Sequence, residues 1–552
     1  MGGRRQADAV AAPILRVERL KVVYEGPRGS HVAVSDVSFD IRPGEIVALV
    51  GESGSGKSTT ASAVMGFLGG SGRIVHGAIE VDGVDITACS DREMDGIRGV
   101  RIGFVPQDPT VSLNPMMRIG RQIAEALIVH GKAGREQAAR RAVEILAESG
   151  LPDPELHARQ FPHQLSGGMR QRVLIGIAMA CRPSVIIADE PTSALDVTVQ
   201  RTILDHLDRV IDETGVGVLL ITHDFGVAIE RSDRIIVLHE GEIVESDTPE
   251  RILHHAQHPY TRRLIAAAPS LSSERMTPSA TVDTPTPPPA PSPAAEPLLR
   301  VDGLSKTFRG PGGEVTAVEG VSFDLAPGKT LAVVGESGSG KTTTARMIMR
   351  LVDSTSGSIR FEGEDITGLR GVRLRALRRR MQFVYQNPYT SLDPRMSVSD
   401  IVAEPLRAFG VPGRKRIAAE VIDRVALPST TLKRRARELS GGQRQRVAIA
   451  RALALNPRLI ILDEPVSALD VSIQERVLRL LVDLQAEYGL SYLFITHDLA
   501  VVRQISDDVA VMRRSRLVEY GATADVLASP RHPYTAELLA AIPGAAGASP
   551  SH

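Results

Sequence analysis

Two glycine-rich stretches, each ending in a lysine followed by hydroxyl residues, carry the strongest chemical signal in this 552-residue chain. The first runs from Gly51 to Thr59 (GESGSGKST) and the second from Gly335 to Thr343 (GESGSGKTT). Both fit the spacing G-x-x-x-x-G-K-S/T, in which the glycines let the backbone curve round a polyphosphate and the following helix turns its N-terminus toward the negative charge. Each follows an apolar run and precedes a helix-like segment. The sequence therefore predicts two nucleotide-binding loops, called here the first and second phosphate loops.

Within each loop, different residues are expected to bind different parts of a magnesium-bound nucleotide. The lysine reaches the outer phosphates, and the hydroxyl residue after it is placed to ligate Mg²⁺. The predicted nucleotide-binding residues are Gly51, Ser53, Gly54, Ser55, Gly56, Lys57, Ser58 and Thr59 in the first loop, and Gly335, Ser337, Gly338, Ser339, Gly340, Lys341, Thr342 and Thr343 in the second. Ser58 and Thr342 are the predicted metal ligands of the two loops.

Downstream of the first loop, an apolar strand over 185–188 ends in the carboxylates Asp189 and Glu190. This order suits hydrolysis of a magnesium-bound nucleotide, because one carboxylate can hold the metal while the next polarises the attacking water. We assign these roles to Asp189 and Glu190 respectively. The alternative is a solvated strand end, which the independent signal of the phosphate loop makes the weaker interpretation.

A second strand, over 218–222, ends in His223, which is placed to meet a γ-phosphate or else serves as a structural histidine. The repeat favours the first interpretation. The offset is 274 residues from Asp189 to Asp463 and again from His223 to His497, and Glu464 follows Asp463 as Glu190 follows Asp189. Two homologous modules therefore lie in tandem, each with the same candidate catalytic residues.

An aromatic residue precedes each phosphate loop at a position where it could stack on a nucleotide base. Tyr24 is the candidate in the first module and Phe308 in the second. A lone tyrosine beside a turn is as often a half-buried strand residue, and both interpretations stay open.

The composition argues against several classes of protein. Lysine plus arginine balances aspartate plus glutamate at 65 each, so the basic excess typical of nucleic-acid binding is missing. Cys89 and Cys181 are the two cysteines, too few for a disulfide framework or a four-cysteine metal site, which fits a reduced, cytoplasmic setting. Neither a signal-peptide core nor 18 consecutive apolar residues occur, so we expect a chain that does not span a membrane.

The length and the duplicated loop predict two domains. We expect the first at 1–270 and the second at 298–543, joined by a linker at 271–297 that is rich in proline, alanine, threonine and serine. Residues 278–297 of the linker offer nothing to pack, and the tail at 544–552 is expected to be disordered.

Periodicity predicts an α/β fold. Apolar and polar residues alternate from Ile14 to Ile41, which indicates antiparallel strands before the first loop. Apolar residues at helical spacing from Ile119 to Gly150 indicate a helical insert between the glutamine at 107 and the carboxylates.

With these residues in place, the chain resembles the ATP-binding cassette (ABC) family over almost all of both halves. Six motifs occur in the same order in each half. They are the Walker A loops at Lys57 and Lys341, the Q-loops at Gln107 and Gln386, the signatures Ser166-Gly167-Gly168 and Ser440-Gly441-Gly442, the Walker B carboxylates Asp189-Glu190 and Asp463-Glu464, the D-loop aspartates Asp196 and Asp470, and the switch histidines His223 and His497. The resemblance implies that each half has an antiparallel β subdomain, a RecA-like core and a helical subdomain.

The resemblance also implies how these motifs act together. ATP is the nucleotide, and Gln107 and Gln386 join the metal sites of Asp189 and Asp463. In the family two cassettes close head to tail, so that each signature covers the ATP held by the other cassette's Walker A loop. The residues implied as catalytic are Glu190, His223, Glu464 and His497, and Met169 in one signature against Gln443 in the other marks a difference between the two sites. We expect both sites to hydrolyse ATP.

Within the family, the chain looks like the fused ATPase subunits of oligopeptide and dipeptide importers. The sequence His-Pro-Tyr-Thr occurs late in each module, at 258–261 and 532–535, although this element could also be an ordinary turn before a helix and supports kinship alone. The resemblance implies two transmembrane permease subunits, an extracytoplasmic substrate-binding protein and a peripheral position on the cytoplasmic face of the inner membrane. It implies no nucleic-acid partner.

A second class of function stays open, that of soluble tandem-cassette ATPases acting on ribosomes or in DNA repair. The neutral charge, the proline-rich linker and the two His-Pro-Tyr-Thr elements favour transport. Some relatives carry a cysteine-ligated iron–sulfur cluster after the cassette. Because no cysteine follows Cys181, we expect none in this chain.

Overall fold

The structure is a computed structural model that describes residues 12–26, 29–192, 195–267, 274–279, 296–310, 313–467 and 469–542. The chain divides into two compact units with the boundary near residue 268, and each unit is described by itself. Most of the predicted linker, at 280–295, and the predicted disordered tail at 544–552 lie outside the described residues.

The first unit contains strands β1 to β10 and helices α1 to α11. The strands are β1 (Leu15–Gly26), β2 (Gly29–Ile41), β3 (Ile46–Val50), β4 (Gly72–Val81), β5 (Val84–Asp85), β6 (Ile102–Val105), β7 (Val185–Asp189), β8 (Gly217–Thr222), β9 (Arg234–His239) and β10 (Glu242–Asp247). The helices are α1 (Lys57–Val64), α2 (Asp91–Asp95), α3 (Pro109–Ser112), α4 (Ile119–Val129), α5 (Arg135–Glu148), α6 (Pro154–Arg159), α7 (Gly167–Met179), α8 (Val197–Thr214), α9 (Phe225–Arg231), α10 (Pro249–His255) and α11 (Pro259–Ala267), with a 3₁₀ turn at Pro162–Gln164.

The second unit repeats this order. Its strands are β11 (Leu299–Gly310), β12 (Gly313–Leu325), β13 (Thr330–Val334), β14 (Ser356–Phe361), β15 (Glu364–Asp365), β16 (Met381–Val384), β17 (Leu459–Asp463), β18 (Ser491–Ile495), β19 (Asp508–Arg513) and β20 (Arg516–Ala522). Its helices are α12 (Lys341–Ile348), α13 (Gly371–Arg380), α14 (Pro388–Ser391), α15 (Val398–Ala408), α16 (Arg414–Arg424), α17 (Gly441–Leu453), α18 (Val471–Tyr488), α19 (Leu499–Ile505), α20 (Thr523–Ala528) and α21 (Pro533–Ala540), with 3₁₀ turns at Ser429–Lys433 and Ala436–Glu438.

The sheet order brings the predicted site residues to one edge. In the first unit the strands run β6-β7-β8-β3-β9, all parallel, so β3 lies beside β8 and β8 beside β7. The second unit has the equivalent parallel order β16-β17-β18-β13-β19. Because the carboxyl ends of parallel strands meet at the same edge, the phosphate loop, the carboxylate pair and the histidine converge there.

Burial explains why these strands form the centre. Every residue of β3 (IVALV) is buried, as is every residue of β13 (TLAVV), and such continuous apolar runs are typical of strands covered on both faces. The predicted antiparallel strands are β1 and β2, which pair in antiparallel register. The predicted helical insert comprises α4 and α5, whose buried faces pack with α7 in a separate apolar cluster. The predicted α/β fold with three parts in each module is confirmed.

One short part of the predicted linker makes contacts within the second unit. Residues 274–279 belong to the second unit, where Met276 lies against the apolar cluster and donates its N–H to Gln504. Arg275 forms an ion pair of 2.9 Å with Asp507. The composition of the segment did not predict these contacts, because one apolar residue and one cation are enough to attach a segment whose other residues are typical of a linker.

No helix in the described ranges is long and apolar enough to cross a membrane.

The first glycine of each phosphate loop is a position where the fold tolerates no side chain. At Gly51, whose φ is +155°, a Cβ would lie 2.2 Å from the carbonyl oxygen of Leu238, whereas at Gly54, with φ +83°, a Cβ would meet open space. We predict that Gly51→Ala lowers the free energy of unfolding by at least about 2 kcal/mol, since backbone must move to relieve the clash. Gly54→Ala should cost about 1 kcal/mol, because it bears the backbone strain alone. Urea unfolding of the two variants tests this, and equal losses would contradict it.

Candidate functional site

The phosphate loops follow β3 and β13 and end at the first residue of a helix. Gly56, at φ +108°, is the residue before α1, and Gly340, at φ +102°, is the residue before α12. Both lie in backbone conformations that favour glycine, and the helix N-terminus that follows leaves N–H groups free for an anion. The hydroxyls of Ser55 and Ser339 are buried and have no hydrogen-bond partner in the described part of the chain. These features fit a bound polyphosphate.

The lysine of each loop is buried and held by the loop itself. Lys57 Nζ donates to the carbonyl oxygens of Gly51 (2.6 Å) and Glu52 (2.9 Å), and Lys341 Nζ donates equivalently to Gly335 (2.6 Å) and Glu336 (2.8 Å). Lys57 is 6% exposed, and this burial lowers its pKa below the usual value. A cation taken out of water is poised to gain from an anionic ligand.

The two strand-end aspartates are also shifted by burial. Burial raises the pKa of Asp189 to about 6, an effect that the charge of Glu190 increases and that of Lys57 opposes. Burial likewise raises the pKa of Asp463, with a hydrogen bond from Thr342 opposing the shift. A carboxylate that is costly to keep ionised in the bare protein has the most to gain from a cation beside it.

Glu190 is held between two other predicted site residues. Its Oε1 lies 3.0 Å from Nδ1 of His223, and its Oε2 accepts a 2.6 Å hydrogen bond from Nε2 of Gln107. Burial alone would raise the pKa of Glu190, but the hydrogen bond and charge of His223 lower it below the usual value. The same contact raises the pKa of His223 against the opposing effect of its burial. Glu190 is therefore an ionised carboxylate of fixed orientation, as a group that polarises water requires.

The second unit repeats this cluster around Glu464. Its Oε1 lies 3.5 Å from Nδ1 of His497, and Gln386 donates to Oε2 at 2.8 Å. Glu190 and Glu464 have φ of 47° and 46°, a left-handed conformation that is uncommon for glutamate, and the N–H of each donates to the neighbouring parallel strand. Strain of this kind is retained where the surrounding structure fixes a side chain for function.

The donors for a magnesium ion are a hydroxyl and a carboxylate in each unit. In the second unit Thr342 Oγ1 donates to Asp463 Oδ1 at 3.1 Å, so the two predicted ligands are adjacent, whereas Ser58 in the first unit is exposed. The described residues contain no group of three or more His, Cys, Asp or Glu side chains able to hold a metal. Hard oxygen donors suit Mg²⁺, which commonly binds through one or two protein ligands together with substrate phosphates. The amides of Gln107 and Gln386, predicted near the metal, donate hydrogen bonds to the carboxylates of Glu190 and Glu464 in this structure.

The signature residues lie at the start of α7 and α17. Ser166 and Ser440 precede these helices, and each hydroxyl accepts a 3.3 Å hydrogen bond from the backbone three residues on. A Cβ at Gly168 or Gly442 would come within 2.4 Å of the branched residue on the neighbouring helix α8 or α18, so glycine is required there. Among the described residues, no hydrogen bond joins Ser166, Gly167 or Gly168 to the phosphate loop of their own unit. The predicted ATP contacts of the signatures stay a prediction.

The aromatic candidates occupy two different environments. Tyr24 lies on β1 opposite Gly72, half-buried against the apolar core of the first unit. Phe308 on β11 is 44% exposed, and Nζ of Lys306 lies 5.1 Å from the centre of its ring. Base stacking stays a prediction for both.

The D-loop aspartates lie at the starts of two helices. Asp196 caps α8 by accepting from Val199 N, and Asp470 directly precedes α18.

Sequence reasoning gave no role to the tyrosines of the His-Pro-Tyr-Thr elements. In the structure, Tyr260 on α11 and Tyr534 on α21 are buried, and their hydroxyl oxygens accept hydrogen bonds from the N–H groups of Glu52 and Glu336 in the phosphate loops. Burial raises the pKa of Tyr260 to about 12. The signal available in the sequence was the recurrence of the element at the same offset as the catalytic residues, which marks it as part of the module but does not reveal its contact.

Comparison with known proteins agrees with these motifs. Residues 34–193 and 318–467 match the ABC transporter family, and residues 244–290 and 518–550 match the C-terminal region of oligopeptide/dipeptide transporters. The chain is 46% identical over 560 residues to the glutathione import ATP-binding protein GsiA of Escherichia coli O157:H7, and equally to that of Shigella dysenteriae serotype 1, with 97% of this chain and 90% of each relative covered. A solved dimeric ATP-binding cassette with ADP and Pi bound is 32% identical, covers 43% of this chain and 98% of its own, and has a TM-score of 0.39.

The two signature helices differ in their capping. Gln443 returns its side-chain oxygen to the N–H of Ser440 at 3.2 Å, completing a reciprocal capping box, whereas Met169 at the equivalent place has no polar group to do so. We predict that Gln443→Met lowers the free energy of unfolding of the second unit by roughly 0.5–1 kcal/mol, because one helix N–H loses its partner.

The matched control is Gln443→Glu, which keeps the acceptor and should leave stability within a few tenths of a kcal/mol. Differential scanning calorimetry of the full chain measures both. If the methionine and glutamate variants unfold at the same temperature, the capping box does not stabilise the helix.

Proposed function

Because this chain belongs to the ABC transporter family and carries the C-terminal region of oligopeptide and dipeptide transporters in both modules, we propose that it is the ATP-hydrolysing subunit that energises import of di- or oligopeptides across the cytoplasmic membrane. The observation that carries the hydrolytic part of the proposal is the ionised, immobilised Glu190 between Gln107 and His223, repeated at Glu464. Such a carboxylate beside a phosphate loop has one evident use, which is to polarise water for attack on a γ-phosphate. The import part rests on the match to the transporter C-terminal region.

The roles of the other residues follow from their charge and position. Lys57 and Lys341 bind the outer phosphates, and His223 and His497 orient the carboxylates and contact the γ-phosphate. Ser58 with Asp189 in the first unit, and Thr342 with Asp463 in the second, would each hold a magnesium ion, whose positive charge would offset the negative charge of the phosphates. The protein's part is to hold these groups in place before ATP arrives, so that little reorganisation is needed during reaction.

We further propose that two ATP molecules bind at a head-to-tail interface of the two modules. Ser440 to Gly442 would cover the ATP at Lys57, and Ser166 to Gly168 the ATP at Lys341. Support comes from the family resemblance and from the chemistry of the signature, where a serine and two glycines open a helix whose N–H groups suit a γ-phosphate. ATP would then favour the closed pair, and hydrolysis would release it.

The partners in this proposal are two transmembrane permease subunits and an extracytoplasmic substrate-binding protein, with the ATPase held at the inner face of the membrane. Glutathione, a tripeptide named for the relatives at 46% identity, is the first substrate to test. Peptide selectivity would reside in the binding protein and permeases, because the ATPase residues described above address the nucleotide alone.

The catalytic assignment predicts a specific pattern of ATPase rates. Glu190→Gln and Glu464→Gln each remove a base while preserving shape, so each should remove the share of the rate that its own site contributes, and the double variant should lower the rate by roughly 100-fold or more. Steady-state phosphate release from the purified chain measures this. All three variants should still bind ATP, which serves as the folding control. A single variant that keeps the full rate would show that its site is not used.

The transport assignment predicts which proteins bind this chain. Affinity purification from detergent-solubilised membranes, followed by mass spectrometry, should recover two multi-span permeases and, after mild cross-linking, a solute-binding protein. Ribosomal or DNA-repair proteins without a permease would overturn the transport proposal and favour a soluble tandem-cassette ATPase.

A further inference from the structure

The buried tyrosine of each His-Pro-Tyr-Thr element reaches a backbone group of the phosphate loop. The hydroxyl oxygen of Tyr260 accepts from Glu52 N at 2.8 Å, and that of Tyr534 accepts from Glu336 N at 3.1 Å. Glu52 and Glu336 are the second residues of the loops. Each contact joins segments about 200 residues apart and lies within a single unit.

The other residues of the element fix the backbone that carries the tyrosine. Nδ1 of His258 accepts from Tyr260 N at 3.2 Å, and the carboxylate of Glu245 accepts from Gln257 N at 2.8 Å and His258 N at 3.2 Å. In the second unit His532 and Glu519 make the same bonds, at 3.1 Å to Tyr534 N, 2.8 Å to Arg531 N and 3.2 Å to His532 N. The element therefore presents the tyrosine in one orientation.

Each tyrosine ring also contacts the last residue of the strand that lies beside the one leading into its phosphate loop. The ring of Tyr260 stacks on His239 with ring centres 3.9 Å apart, and the guanidinium of Arg513 lies 4.4 Å from the centre of the Tyr534 ring. His239 ends β9 and Arg513 ends β19. The preceding residue in each strand, Leu238 or Met512, supplies the carbonyl oxygen that lies nearest to where a Cβ on the first glycine of the loop would be. The phosphate loop, the strand end and the tyrosine therefore pack against one another.

We propose that Tyr260 and Tyr534 are positioning residues for ATP binding, which act by fixing the peptide plane at the start of each phosphate loop. This inference rests on the proposed role of the loops. The backbone carbonyl oxygen of Glu52 accepts from Lys57, and its backbone N–H donates to the tyrosine hydroxyl. Both backbone polar groups of Glu52 are therefore fixed by hydrogen bonds. Without the hydroxyl the N–H loses its partner and the loop must be ordered when the nucleotide binds, which lowers affinity.

The second unit offers a matched pair of variants for the test. Tyr534→Phe removes the hydroxyl that bonds the loop, and Tyr492→Phe removes an equally buried hydroxyl, which donates to Leu481 O at 3.0 Å away from the loop. Both are made in the full chain carrying Lys57→Ala, so that the second loop is the one that binds. Titration with a fluorescent ATP analogue and Mg²⁺ gives the Kd, and thermal unfolding gives the stability of each variant.

We expect Tyr534→Phe to raise Kd roughly fivefold or more and to raise KM for ATP more than it lowers kcat. Tyr492→Phe should lower the unfolding temperature by about as much as Tyr534→Phe does. It should leave Kd within about twofold of the value for the chain without either tyrosine change. Equal Kd values for the two variants would overturn the proposal and leave the tyrosine as a docking contact for α21. Tyr260→Phe in a Lys341→Ala chain repeats the measurement on the first loop, where the same rise in Kd is expected and an unchanged Kd would overturn the role assigned to Tyr260.

The failure of the nucleotide-site assignment would look different. It would appear as analogue binding that persists when Lys57 and Lys341 are both replaced by alanine, whatever the tyrosine variants do. Binding that is lost only in that double-lysine variant, with fivefold weakening in the tyrosine variants, supports both assignments.

Discussion

A loop that binds phosphate through its own backbone must keep its shape before the phosphate arrives, and the rest of each unit depends on this constraint. The first loop is fixed at three points. Gly51 passes against the carbonyl oxygen of Leu238, Lys57 bonds back to the carbonyls of the loop, and Tyr260 accepts the N–H of Glu52. The second loop has the same three contacts. The parallel strands that carry the loop then deliver the carboxylates and the histidine to the same edge.

Much of this arrangement could be predicted from the sequence because it is encoded locally or by repetition. The loop spacing, the apolar strand ending in Asp189 and Glu190, and the constant offset to the second module each need few residues to recognise. Parallel strand order then implies that the strand ends meet. In the structure Glu190 and His223, predicted separately as catalytic residues, lie 3.0 Å apart, and their catalytic roles stay a prediction.

Other features depend on contacts that no local pattern reports. The bond from Glu52 to Tyr260 spans 208 residues, and the sequence around the tyrosine reads equally well as a turn before a helix. The docking of residues 274–279 on the second unit depends on Met276 and Arg275 finding partners far along the chain. The direction of a pKa shift depends on contacts as well as on burial, since burial raises the pKa of Asp189 whereas His223 lowers the pKa of Glu190. The sequence does not report these contacts.

The two modules keep the same chemistry while differing in how firmly it is supported. Thr342 already bonds Asp463, whereas Ser58 is exposed, and Gln443 completes a capping box that Met169 cannot. These differences concern predicted metal ligands and helix ends, while the glutamate, histidine and glutamine of both predicted sites remain. We therefore expect two hydrolytic sites that differ in rate or affinity.

The most direct measurement is an experimental structure of the full chain with both catalytic glutamates replaced by glutamine and with ATP and Mg²⁺ bound. We predict two ATP molecules, one with its outer phosphates at Lys57 and beside Ser440 to Gly442, the other at Lys341 and beside Ser166 to Gly168. A single nucleotide, or two nucleotides that contact one module each, would contradict the shared-site mechanism.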